Sequence, residues 1–179
     1  YDGLQSQQRR LRPFALLGIL ASGLPLIHTH SFLALGLVSA GWLVWDLFKR
    51  RRVIPWLLFG GLTLLLALPQ LFAFTFRQSG AEGFLRLQFN WVNNAGNAGL
   101  RDGYLWFWVK NVGLPFVLLM FSLFEKNEKH RFLFTGAFAI FIVAELVIFQ
   151  PNEYDNNKLF YVWYALCLVP VSEYAFSLW

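Results

Sequence analysis

The sequence predicts an all-α integral membrane protein with about six transmembrane helices and an outward-facing polar vestibule, and three observations carry that expectation. The first is composition: 57% of the 179 residues are hydrophobic, 20 are Phe, 8 are Trp and only 14% are charged. Soluble domains carry about 25% charged residues, so this balance belongs to a chain dissolved in lipid. The second is segmentation, since long apolar runs alternate with short polar clusters. At ~20 apolar residues per crossing, the length allows about six spans. The third is the placement of cations. If successive helices reverse direction, residues 1–12, 49–52 and 125–131 share one face, holding Arg9, Arg10, Arg12, Lys49, Arg50, Arg51, Arg52, Lys126, Lys129 and Arg131. The other face holds Arg77, Arg86, Arg101, Lys110 and Lys158. Because Lys and Arg are retained on the inner side, the richer face is predicted to be cytoplasmic. The net charge of +5 follows from that bias, and no nucleic-acid partner is expected.

The elements follow in order. Residues 13–27 form the first candidate span, which is short: its helix rises only ~22 Å. "HTH" at 28–30 therefore sits either at the turn of a thin hairpin or at the mouth of a cavity dipping into the bilayer. The second span is 31–48, closed by "KRRR" at 49–52, and the third is 53–76. Residues 77–102 mix Gly and Asn with Phe84, Leu85, Leu87, Phe89 and Trp91, which predicts an external loop or amphipathic helix in the interface. Spans at 103–124, 132–150 and 159–179 complete the set, separated by "EKNEKHR" and "PNEYDNNK". Residues 1–179 thus read as a single transmembrane helical domain. Without a Met at its start and with an apolar run at its end, it is expected to be a fragment of a longer polytopic protein. The lone Cys167, in an apolar run, excludes an intramolecular disulfide and argues against a thiolate metal site.

Ionisable groups at membrane depth cost roughly 2.5–3.5 kcal/mol each on the insertion scale, so each one needs a reason. Here they are His28, His30, Asp46, Lys110, Glu145 and Glu173, with Asp155 and Lys158 at a span entrance. Residues two apart face the same way on an extended segment and diverge on a helix. A ligand shared by His28 and His30 therefore requires a break in the helix. Imidazole can exchange a proton, bind phosphate as the cation, or ligate a metal when neutral. These two are the candidate catalytic groups and candidate metal ligands, a divalent metal being the one cofactor the residues suggest. The structural alternative is that they cap the hairpin. In "QPNEYDNNKLFYVWY" Pro151 ends one helix, and Asp155 or Asn156 can cap the next, whose free amides attract anions. Lys158 in that first turn opposes the helix dipole, a placement a bound anion would repair. Glu153, Asn156, Asn157 and Lys158 are the candidate phosphate-site residues, with Asp155 as a catalytic candidate; the alternative is a capped loop with a snorkelling lysine. In "LWFWVKNVGLPF", Lys110 and Asn111 precede Gly113 and Pro115, which loosen the helix as happens where backbone lines a cavity, so both join the phosphate-site candidates. Asp46 reads as a partner for the adjacent basic run.

No phosphate-binding glycine loop, nucleophile elbow, zinc motif or dinucleotide fingerprint is present. "LPLIHTHSFLALGL", "FWVKNVGLPF" and "FQPNEYDNNKLFYVWY" together resemble the later transmembrane segments of microbial polytopic proteins related to the GT-C superfamily, multi-span glycosyltransferases using lipid-phosphate sugar donors at the outer membrane face. The likeness covers residues 13–179 and is one of segment style. It implies a prokaryotic plasma membrane, a lipid-linked sugar as substrate, and further chain or other subunits as partners beside membrane lipid. In that superfamily the catalytic acid usually lies in a first large external loop; no such loop precedes residue 13, and Asp2 is an isolated acid, so the main acid is expected outside this chain. A proton-coupled transporter or lipid flippase explains the same polar groups, although no inverted repeat is visible. A structural membrane subunit is the third reading.

Overall fold

The computed structural model describes residues 2–51, 53–75, 85–93, 101–149 and 153–179. Helices dominate: α1 (Asp2–Ser22), α2 (Leu24–Ile27), α3 (Thr29–Phe48), α4 (Ile54–Gln70, running into a π-helical turn, Leu71–Thr75), α5 (Tyr104–Val112), α6 (Leu114–Ser122), α7 (Glu128–Leu146) and α8 (Glu153–Ser177). Two short strands, β1 (Arg86–Leu87) and β2 (Val147–Ile148), pair antiparallel with Arg86 opposite Ile148. Among the described residues three helices are long and apolar enough to cross a membrane, Thr29–Phe48, Ile54–Phe74 and Tyr154–Ser177. A fourth crossing results if α5 and α6 count as one span, bent by 116° at their junction.

Each boundary has a local cause. At the start of α3 the backbone of His28 is extended (φ −159°, ψ 99°) and its Nδ1 accepts the Ser31 amide, satisfying one of the donors a helix start leaves free. Pro55 and Pro115 occupy the first turns of α4 and α6, where a missing N–H costs nothing. Gly113 separates α5 from α6 at φ 73°, ψ −147°, a conformation essentially restricted to glycine. Asn127 caps α7 through its Oδ1, which accepts the Lys129 amide at 3.0 Å.

The closest helix approaches fall at small residues, Gly18 against α4 and Gly41 against α7. α1 and α4 run parallel: Phe14 meets Trp56 edge-on at 5.4 Å, and one turn on, Thr63 Oγ1 donates to the carbonyl oxygens of Gly18 (3.2 Å) and Phe59 (2.7 Å). α3 runs antiparallel to α7, with Gly41 against Gly136, Trp42 stacked on Phe132 at 5.0 Å, and Lys49 bonded to Glu128 at 2.8 Å. α8 runs antiparallel to α7 as well, tied at one end by Asn156 and at the other by Glu173. Where α5, α7 and α8 meet, Trp108 lies 5.1–5.3 Å from the rings of Phe141, Phe160 and Trp163. Aromatic pairs of this kind contribute ~0.5–1.5 kcal/mol each beyond the area they bury.

These directions collect polar groups at two ends. The basic end holds Lys49, Arg50, Arg51, Glu125, Glu128, His130 and Glu173, joined by the Lys49–Glu128 contact and by Trp56 Nε1, which donates to Asp46 Oδ2 at 2.9 Å. Asp46 also pairs with Arg51 at 3.3 Å, the role expected of it. The histidine end holds His28, His30, Asp155, Lys158 and the strand pair.

Several expected boundaries move. The run 103–124 is two helices meeting at Gly113 rather than one, because that residue's backbone cannot continue a helix. The run 132–150 leaves the helix after Leu146, where Val147 and Ile148 become extended to pair with β1. The last helix begins at Glu153 rather than 159, which puts Asp155, Asn156 and Lys158 inside it. Asn156 is therefore not an N-cap, and the amides of residues 157 onward are taken by intrahelical bonds, so no free helix start exists at 156–159. Of the expected interfacial loop 77–102, residues 77–84 and 94–100 lie outside the described residues; within it Trp91 is buried, its Nε1 donating to the Ala144 carbonyl at 2.7 Å.

Candidate functional site

The interruption before α3 brings the two histidines together. With His28 extended and Thr29 beginning the helix, their ring centroids lie 5.5 Å apart at 40°. The His28 Nδ1 accepts from the Ser31 amide (3.2 Å) and meets the Ser31 hydroxyl at 2.9 Å. In the neutral ring the proton then sits on Nε2, which becomes a donor on an exposed side chain. His30 is half-buried, and its Nε2 is shielded from water without a hydrogen-bond partner. Capping and availability thus coexist in this pair: the Nδ1 of His28 is structural, its Nε2 faces solvent, and the Nε2 of His30 is unpaired but shielded.

α8 supplies the facing charges. Asp155 and Lys158 form an i, i+3 ion pair at 2.9 Å, and both lie within electrostatic reach of His30. Asp155 and Lys158 are each partly exposed, so their bond is exchangeable. Four of the expected site residues therefore gather: His28, His30, Asp155 and Lys158. Glu153 is the first residue of the same helix, and Asn157 lies half-buried between Asp155 and Lys158 in sequence.

Asn156 faces inward instead. It is fully buried, its Nδ2 donating to the carbonyls of Val147 (2.9 Å) and Ala144 (3.4 Å) and its Oδ1 accepting the Phe149 amide (3.2 Å). With both ends of the amide occupied by backbone, Asn156 ties α8 to the end of α7. Lys110 pairs with Asp102 at 2.7 Å, and the Asn111 side chain donates to the Phe107 carbonyl at 2.8 Å on its own exposed helix face. Both residues belong to α5, and their polar atoms are engaged within it or just before its start.

Two further polar groups stand out. Glu145 is only 2% exposed, and neither carboxylate oxygen has a hydrogen-bond partner among the described residues. The polar groups that approach it are the Tyr104 hydroxyl, the Trp108 indole and the backbone of Asn90, all uncharged. At the basic end His130 is 4% exposed, its Nδ1 2.9 Å from Glu125 Oε2 and its Nε2 2.7 Å from Glu173 Oε2, with Asn127 Nδ2 at 3.2 Å. His130 escaped sequence reasoning because it stands among Lys126, Lys129 and Arg131 in a charged connection, and its partner Glu173 is 43 positions away. Nearby, Lys49 donates a hydrogen bond to Glu128 and holds that carboxyl below its ordinary pKa. Among the described residues no cluster of three or more His, Cys, Asp or Glu side chains is arranged to hold a metal ion. No family model, no curated protein and no solved structure matches the chain.

Proposed function

We propose that this chain is the later membrane part of a glycosyltransferase that moves a sugar from a polyprenyl-phosphate donor to an acceptor at the non-cytoplasmic face. The observation that carries the reading is the gathering of His28, His30, Asp155 and Lys158 at one end of the helices, opposite the basic end. In this reading the basic end is cytoplasmic. Six passes then follow from the alternating directions, with α1–α2 as the first, the bent α5–α6 pair as the fourth and α7 and α8 as the last two. The four residues line a polar vestibule under the outer surface.

The chemistry proceeds from the groups available. Lys158 exchanges its Asp155 contact for a phosphate oxygen of the donor, and the Nε2–H of His28 donates to a second. His30 takes the proton of the acceptor as its nucleophilic atom bonds to the sugar's anomeric carbon. The bond from that carbon to the phosphate oxygen breaks, and the departing phosphate keeps the electron pair, its charge stabilised by Lys158 and His28. Asp155 then faces the imidazolium of His30. His28 and His30 supply two ligands where catalytic zinc sites use three protein ligands, so no step is placed on a metal.

The test is transfer of radiolabelled sugar from polyprenyl-phosphate donors by membranes carrying the full coding sequence, comparing wild type with His30→Ala, Asp155→Asn and Lys158→Ala at matched folded yield. Turnover that drops at least ~100-fold in His30→Ala, the low end for loss of a general base, is the expected result. Equal turnover in all variants, or none with any donor, overturns the reading. A second reading, proton-coupled transport, is favoured by one observation, the helix interrupted at Gly113, since transporters build their sites on broken helices.

A further inference from the structure

Glu145 is a carboxylate that nothing in the transfer chemistry uses. It stands one position before the last residue of α7, is 2% exposed, and leaves both oxygens without a partner among the described residues. An ionised carboxylate in such a place keeps most of the cost of leaving water, because the groups that approach it among the described residues, Tyr104, Trp108 and the backbone of Asn90, carry no opposite charge.

The surroundings narrow what would satisfy it. From α5 it meets Tyr104 and Trp108, and the indole Nε1 of Trp108 is likewise buried without a partner. From the segment 85–93 it meets the backbone of Asn90. The α8 residue packed beside this turn, Asn156, has its amide committed to backbone. The charged groups of the same elements are engaged elsewhere: Lys110 with Asp102, and Lys158 with Asp155. Arg86, the charged residue of β1, pairs through its backbone with Ile148, three residues beyond Glu145. A metal would need more ligands than one carboxylate, and no cluster of them exists among the described residues. A proton requires neither a cavity nor further ligands.

We propose that Glu145 is a proton-binding site that locks α5 onto α7. With the proton on, the side chain is a neutral acid whose hydroxyl donates to the Tyr104 phenol oxygen and whose carbonyl oxygen accepts from Trp108, so it remains buried at the interface of α5, α7 and the segment 85–93. Release of the proton to water at the histidine end leaves a carboxylate that has to be hydrated. The fold offers one route to that hydration: α5, nine residues long, pivots away from α7 about Gly113, whose φ of 73° already turns the chain by 116°. The hinge and the carboxylate thus form one proton-dependent device, and it stands whether the histidine end transfers sugars or transports a solute.

The experiment uses the whole chain in lipid nanodiscs. Infrared difference spectra of wild type against Glu145→Gln report the C=O stretch of a protonated carboxyl, and hydrogen exchange of residues 104–112, corrected for intrinsic pH dependence, reports opening of α5. The expected result is a protonated-carboxyl band at neutral pH that is absent from Glu145→Gln. Protection of α5 in wild type then falls up to ~10-fold per pH unit once the band begins to disappear, the slope of a single released proton, while the neutral Gln variant stays protected throughout. Absence of the band at neutral pH overturns the proposal, because Glu145 is then ionised while buried. A band that disappears at high pH with no loss of α5 protection overturns the coupling to the hinge.

Discussion

His130 Nε2 lies 2.7 Å from Glu173 Oε2, so a buried imidazole near the start of α7 is bonded to a carboxylate near the end of α8, while its other nitrogen faces Glu125 at 2.9 Å. This pair and the Asn156 amide at the opposite end fasten α7 and α8 along their length. Replacing Glu125 leaves the buried Nδ1 unpaired, whereas replacing Glu173 leaves Nε2 with Asn127 Nδ2 at 3.2 Å. Glu125 is the better shielded of the two, at 28% exposure against 63% for Glu173. Glu125→Ala is expected to cost ~1–3 kcal/mol, and Glu173→Ala, where water takes over part of the bond, at most ~1 kcal/mol. Thermal unfolding in detergent measures both, and an equal or reversed order would show that the ring nitrogens find other partners.

The α3–α7 crossing depends on Gly41. A Cβ there would stand 2.5 Å from the Thr135 carbonyl oxygen and 2.9 Å from Gly136, both backbone, so the helices would have to separate. Gly41→Ala is expected to destabilise by ~1–3 kcal/mol despite its better helix propensity. Gly36, on the same helix with nothing within 4 Å of its absent Cβ, is the control. Gly36→Ala should stabilise by up to ~1 kcal/mol. Unfolding midpoints of the two variants moving in the same direction would refute the close crossing.

Asn156 separates a fastening role from a ligand-binding one. Asn156→Ala strips a donor from Val147 and Ala144 and an acceptor from the Phe149 amide, and ~1–3 kcal/mol of stability should go with each buried group left unsatisfied. Asn157→Ala, one position on, should change stability little. A folded, fully stable Asn156→Ala that loses only lipid-phosphate binding would reverse this assignment.

The Lys49–Glu128 contact makes a small pH signature. The Lys49 hydrogen bond lowers the Glu128 pKa in the folded chain, so the contribution is present above the unfolded carboxylate value and is lost as pH falls through the lower folded one. Acidification through and below the ordinary carboxylate range should therefore weaken wild type slightly more than Glu128→Gln. Parallel stability profiles for the two proteins would show that the contact contributes nothing.

Much of this organisation was legible in the chain alone. Composition and apolar runs predict helices long and apolar enough to cross a membrane, because local sequence determines whether a segment can leave water, and three such helices are found among the described residues. The "HTH" stretch demanded an interrupted helix if its rings were to meet, since the period of side-chain direction is a local property, and the extended backbone of His28 supplies that interruption. Asp46 was recognisable as a partner for the basic run beside it. Only the tertiary structure decided the rest. Asn156 read as a helix cap and became a rivet to α7 because the start of its helix depends on where β2 ends and packs. Glu145 became an orphan carboxylate because the cation of the adjacent helix α5, Lys110, is taken by Asp102. His130 found Glu173 across 43 positions because α7 and α8 run antiparallel in contact. Burial of a residue type is written locally by the cost of its transfer from water, whereas the identity of its partner is set by which helices touch, and that depends on small-residue crossings such as Gly41 on Gly136 that no single segment specifies.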